Sequence, residues 1–214
     1  MKRMVAVGGT LLCVSGLLRA HPHVFVTAQA GFLFDADTRL YALRISWRYD
    51  AFTTLFLFDV LDLDGDRDGQ LTDADLAVVA AAETDWAPGY NGDVHLSVAD
   101  KNRELGQPEN ARARMVEGEI VVSFELLLKA PAAMSNQRAS LRLYDPSFYY
   151  SYTVTVDMDS RKLSQPCMAT AIPFEPDSAA AETLELLATL TREETPSDPN
   201  VGALFADEVV LECS

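Results

Sequence analysis

Basic residues are few: 17 lysines and arginines stand against 32 aspartates and glutamates, a formal net charge of −15 at pH 7. That balance argues against nucleic acid and anionic membrane surfaces as partners, and it favours cations. Histidine and cysteine number three each. With so few of either, no Ser/His/Asp or Cys/His nucleophilic set can be assembled, and the expected class is not an enzyme. Beyond the first twenty residues no apolar run approaches the roughly twenty residues that a membrane span needs, so no membrane insertion is expected of the remainder. Repeats and low-complexity tracts are missing too.

The first twenty residues read as a secretory signal. Lys2 and Arg3 form a positive start, Val5 to Leu18 is an uncharged and mostly apolar stretch, and Ala20 supplies a small residue at the cut. That stretch is too short for an uncleaved anchor. Cys13 would suit a lipoprotein only with a small residue before it, and Leu12 stands there. The expectation is a periplasmic protein with one α+β domain over 21–214. Losing Lys2, Arg3 and Arg19 makes that domain more acidic still. Cys167 and Cys213 remain, and an oxidising compartment predicts a disulfide between them. A paired thiolate metal site is the competing reading, and the spacing lacks a metal motif.

Alternation and turn residues predict the elements. His23 to Phe34 and Leu40 to Trp47 read as a hairpin around Asp35-Ala36-Asp37, with Tyr41, Leu43, Ile45 and Trp47 on one face. Helices are expected over Asp50 to Leu63 and Asp73 to Thr84. Strands are expected over Val94 to Val98, Ala111 to Val116, Glu119 to Leu128, Ala139 to Tyr144 and Phe148 to Met158, with a tight turn at Glu117-Gly118. A further helix covers Ser178 to Leu190, capped by Asp177 or Ser178. A linker follows over Glu193 to Asn200, and Glu208 to Cys213 closes as a strand. The fold class is an antiparallel β-sheet domain, with an inserted EF-hand-like helix-loop-helix over 50–85 and a helix in the C-terminal part.

The loop of that insertion fits a twelve-residue calcium template. Asp64, Asp66 and Asp68 stand at positions 1, 3 and 5, and Gly69 at position 6 permits the sharp turn. Gln70 offers a backbone carbonyl, Thr72 a side-chain or water-mediated contact, and Leu71 packs beneath the loop. Asp75 replaces the usual glutamate at position 12, and its shorter reach predicts weaker calcium binding or more tolerance of magnesium. With one such loop in the chain, the expected role is a structural brace. The competing reading is an acidic surface loop.

Cleavage after Ala20 would leave His21-Pro22-His23 at a new terminus, where an amine and imidazoles can chelate a metal. Pro22 has no N–H to lose, which rules out the chelate made of deprotonated amides. If the strand carrying Asp93 and His95 neighbours the first strand, His21, His23 and His95 form a three-nitrogen site with Asp93 as a fourth ligand. Zinc suits such a set; copper, nickel and cobalt are alternatives. The bland readings are a mobile tail for His21 and His23, and a hydrogen-bonded surface residue for His95. A copper redox enzyme using the terminal histidine finds no substrate-cleft signature.

The segments Ala20-His-Pro-His-Val-Phe-Val, Trp47-Arg-Tyr-Asp-Ala-Phe, Asp64 to Asp75, Leu143-Tyr-Asp-Pro-Ser-Phe-Tyr149 and Leu204 to Cys213 together carry a family resemblance. The chain resembles a bacterial family of periplasmic proteins described as the periplasmic component of ABC-type transport systems, zinc-uptake accessory proteins among them. The resemblance implies a metal-handling accessory, zinc the leading cargo. Its implied partner is an inner-membrane permease related to nickel and cobalt transporters, and its implied metal site is the His-Pro-His segment.

Overall fold

A computed structural model describes residues 22–157, 167–191 and 194–214. The expected signal segment and His21 lie outside the described residues. Among the described residues, ten strands form two five-stranded sheets. In the first sheet the order is β5 (Leu105–Val116), β6 (Glu119–Ala133), β2 (Arg39–Tyr49), β1 (Val24–Phe34) and β8 (Tyr150–Val156). In the second it is β4 (Lys101–Asn102), β3 (Val94–Val98), β7 (Arg138–Leu143), β10 (Glu208–Cys213) and β9 (Cys167–Ile172). Every pairing is antiparallel except β1 with β8, which is parallel.

Period-two alternation gives each sheet one apolar face. On β3, Val94, Leu96 and Val98 point inward; on β7, Ala139, Leu141 and Leu143 do. These residues join Phe32, Leu43, Ile45, Phe124 and Leu126 of the first sheet in one continuous core, so the two sheets form a sandwich. Trp47 and Trp86 stack within it, their ring centroids 6.0 Å apart, and Trp47 meets Phe124 edge-on at 4.8 Å. Trp47 is a core residue.

The first two helices pack against β2, β5 and β6 of the first sheet. Asp50 caps α1 (Ala51–Val60), its carboxylate accepting from the Thr53 N–H at 2.7 Å. Thr53, Thr54 and Leu57 face inward, and the Thr54 hydroxyl accepts from the Ile120 N–H at 3.1 Å. α2 (Asp73–Thr84) buries Val79 and Ala80. α3 (Ser178–Leu187) is capped by Asp177, which accepts from the Ala180 N–H at 2.8 Å. A 3-10 turn, Val201–Phe205, and β10 follow it, so the chain closes on a strand. Leu187, Val201, Phe205 and Phe148 make a second, smaller core.

Several boundaries differ from the expectation. Tyr41 does not share a buried face with Leu43, Ile45 and Trp47. Leu33 pairs with Ala42 and Phe34 with Leu40, so Tyr41 is an extra, bulged residue that reverses the alternation. β5 starts at Leu105, because Pro108 sits on an edge strand that tolerates a missing N–H. β4 and β9 were not expected. The Glu117-Gly118 turn is present, both residues at positive φ between the paired Val116 and Glu119. Cys167 and Cys213 are paired in register and joined by a disulfide that staples edge strand β9 to β10.

Candidate functional site

The acidic loop brings three of its expected ligands together. Asp64, Asp66 and Asp68 offer carboxylate oxygens within 4.8 Å of one another. Among the described residues, no other group of three or more His, Cys, Asp or Glu side chains gathers so closely. Backbone geometry does the gathering: Asp64 accepts from the N–H groups of Asp68 and Gly69, both at 3.0 Å, and Asp68 accepts from Gln70 at 2.8 Å. Gly69 takes the positive φ expected at that position. Thr72 and Asp75 are engaged differently, as the capping box that starts α2. Asp75 accepts from the Thr72 N–H at 2.9 Å and hydroxyl at 2.7 Å. Those bonds hold its carboxyl below the usual carboxylate range.

The histidines do not converge through strand pairing. β1 neighbours β2 and β8, whereas β3 neighbours β4 and β7 in the other sheet. The adjacency that would have set His95 beside His21 and His23 is therefore not what this fold provides. His95 packs flat on Tyr144, ring centroids 3.8 Å apart, and its Nε2 lies 3.3 Å from the Tyr144 carbonyl oxygen. A carbonyl only accepts, so Nε2 carries the proton and only Nδ1 retains a lone pair. Burial holds the imidazole below its ordinary pKa. Asp93, named as a fourth ligand, is buried and accepts from the Tyr152 hydroxyl at 2.8 Å. Burial raises its carboxyl to about 6, while the Tyr152 hydrogen bond pulls the other way. Its role here is to tie the two sheets together.

His23 is half-buried and lines a cavity of about 330 Å³. Its N–H bonds the Tyr149 carbonyl at 2.9 Å, and its ring packs 4.7 Å from that of Tyr149. One carboxylate builds this corner. Asp145 accepts from the Ser147, Tyr149 and Tyr150 N–H groups and from the Ser147 hydroxyl, folding 145–150 into a turn that presents two tyrosines. The 3-10 turn braces it from behind: a Cβ at Gly202 would lie 1.9 Å from the Asp145 carbonyl oxygen, so only glycine permits the approach. Phe52 and Phe56 of α1 and Glu83 of α2 complete the wall.

Glu83 is the residue sequence reasoning missed. Its Oε2 accepts a short hydrogen bond from the Tyr49 hydroxyl. Burial raises the Glu83 carboxyl pKa, and the same burial pushes the Tyr49 phenol well up. Tyr150 is pushed up to about 12, first by burial and then by the charge of Glu83. Two signals were available. Glu83 is a lone long acid in an alanine-rich helix, and Tyr149, Tyr150 and Tyr152 crowd into four positions of a chain with seven tyrosines.

Fold and site define a disulfide-stapled β-sandwich with an acidic loop between two helices and a separate aromatic cavity lined by Phe52 and Phe56 of the first helix and Glu83 of the second. The chain belongs to the DUF1007 family, "Protein of unknown function", whose profile matches residues 6–213. It is similar to an uncharacterized protein of Haemophilus influenzae, 21% identical over 206 residues that cover 94% of this chain and 95% of the relative. No solved structure matches it.

Proposed function

We propose that this protein is a non-catalytic periplasmic metal-binding accessory protein. It captures a transition metal, zinc favoured with nickel or cobalt as alternatives, at His21 and His23 and presents it to an inner-membrane permease related to nickel and cobalt transporters. The observation that supports this reading is the position of His23, which is held by the Tyr149 carbonyl and lines the same cavity as the partly buried carboxylate of Glu83. The paired cysteines fit an oxidising compartment. The motif resemblance to periplasmic transport components points the same way. His95 is left outside this site.

In this reading the loop Asp64 to Asp75 is an EF-hand-like brace that holds calcium. The converging carboxylates of Asp64, Asp66 and Asp68 support it, with Gln70, Thr72 and Asp75 as the remaining ligand positions. Asp75 would have to turn from its cap toward the ion. Elemental analysis and calorimetry on natively processed protein test the transition-metal site. Zinc should bind, and the His21→Ala, His23→Ala variant should bind at least tenfold more weakly. Equal binding of zinc, nickel, cobalt and copper by both proteins rejects it.

A second reading is a calcium-stabilised interaction module with no transition-metal role. It is favoured by α1, which leaves Phe52, Leu55, Phe56 and Val60 exposed side by side. Under it, Asp64→Ala lowers the calcium-dependent melting temperature, while growth in zinc-poor medium is indifferent to loss of the protein.

A further inference from the structure

The cavity behind His23 has a chemistry that a divalent metal does not account for. Its wall is largely aromatic: Tyr49, Phe52, Phe56, Tyr149 and Tyr150 line it, and the one carboxylate among its lining residues is Glu83. Aromatic faces carry negative electrostatic potential and attract cations, most strongly where water is excluded. Glu83 supplies the formal charge. Tyr49 donates to its Oε2, and among the described residues no hydrogen bond reaches Oε1, so one oxygen is left to accept from a ligand. The exposed rings of Phe52 (77%) and Phe56 (53%) stand at the entrance, where an apolar stem would cover them.

We infer that this cavity binds an alkylammonium cation, its N–H groups donating to Glu83 Oε1 and its alkyl stem lying against Phe52, Phe56 and the tyrosine rings. An anion would meet the Glu83 charge. A neutral alcohol of the same length would gain the apolar contacts without the ion pair or the cation–ring attraction, so the site distinguishes charge at constant shape. The volume of about 330 Å³ suits a small ligand. The net charge of −15 draws cations toward the surface before they find the cavity. The acidic loop contributes no lining residue; His23 does, but the contacts invoked here are with Glu83, Phe52, Phe56 and the tyrosines, none of them a ligand in the metal reading.

The test is calorimetry on the purified protein with n-hexylammonium chloride, hexan-1-ol and hexanoate at constant ionic strength. Binding of the ammonium at least tenfold tighter than the alcohol, with none of hexanoate, is the expected result. Glu83→Gln keeps an acceptor for Tyr49 and should abolish the preference; Phe56→Ala, at an exposed position, should weaken hexylammonium several-fold with an unchanged melting temperature. Nα-acetyl-lysine methylamide, which carries the same ammonium on a peptide unit, separates the two sources of the group. Weaker binding than hexylammonium assigns the cavity to a free amine, and equal binding assigns it to a partner's lysine. Equal affinity for ammonium and alcohol, or an unchanged preference in Glu83→Gln, overturns the inference; should that variant not fold, the ammonium–alcohol comparison on the natural protein decides alone.

Discussion

At the scale of single residues, buried carboxylates hold this sandwich together. Asp207 accepts from the Val154 and Phe174 N–H groups, both at 2.8 Å, tying β8 to the chain beyond β9. Asp93 joins the sheets through Tyr152 and carries a measurable consequence. Burial pushes its carboxyl up to about 6 in the fold, from an ordinary value of 3.8 in the unfolded chain. Between those values the folded state binds the extra proton, so stability falls as pH rises from about 4 to 6 and then levels. Two pKa units correspond to roughly 2–3 kcal/mol. Asp93→Asn retains a hydrogen-bonding side chain and tolerates the positive φ at this position. Urea titrations across that pH window should show this falling contribution in the natural protein and not in the variant. Identical slopes would refute the assignment. His95 stacks on the Tyr144 ring and has one of its two ring nitrogens engaged by the Tyr144 carbonyl.

Among the elements, the start of α2 is where structure and the proposed calcium site compete. The Thr72–Asp75 capping box satisfies N–H groups that the first turn leaves free. Thr72→Ala should therefore cost about 1 kcal/mol in calcium-free buffer. If calcium recruits Asp75, the loss should shrink when calcium is added, because the ion then does the ordering. Thermal melts of both proteins with and without calcium measure this, and a loss unchanged by calcium speaks against Asp75 as a ligand. α1 was legible as a helix from its missing glycine and proline. Its exposed face was not, because an apolar run has no periodicity to mark which side is buried. Only the neighbouring β2 and β6 decide that Thr53 and Thr54 face in while Phe52 and Phe56 face out.

For the whole molecule, stability rests on two sheets sharing one core and, among the described residues, on one covalent staple. The Cys167–Cys213 bond closes a separation of 46 residues that contains α3 and the 3-10 turn. The chain-entropy model gives such a loop about 4 kcal/mol. Reduction should lower the urea midpoint accordingly, and a Cys167→Ala, Cys213→Ala variant should match the reduced protein. An unchanged midpoint would mean that β9 is held by its pairing alone.

The sequence alone determined what depends on neighbours along the chain: the period-two strands, the cap at Asp177, the Glu117-Gly118 turn and the convergence of Asp64, Asp66 and Asp68. Each arises from residues a few positions apart, whose separation the backbone limits. Tertiary structure decided what depends on distant segments meeting. It put β1 and β3 in different sheets, so that His23 and His95 are not on neighbouring strands, and it brought Glu83, Tyr49 and Tyr149 to one cavity from three parts of the chain. No local pattern encodes such meetings, because they follow from which apolar faces bury one another most completely.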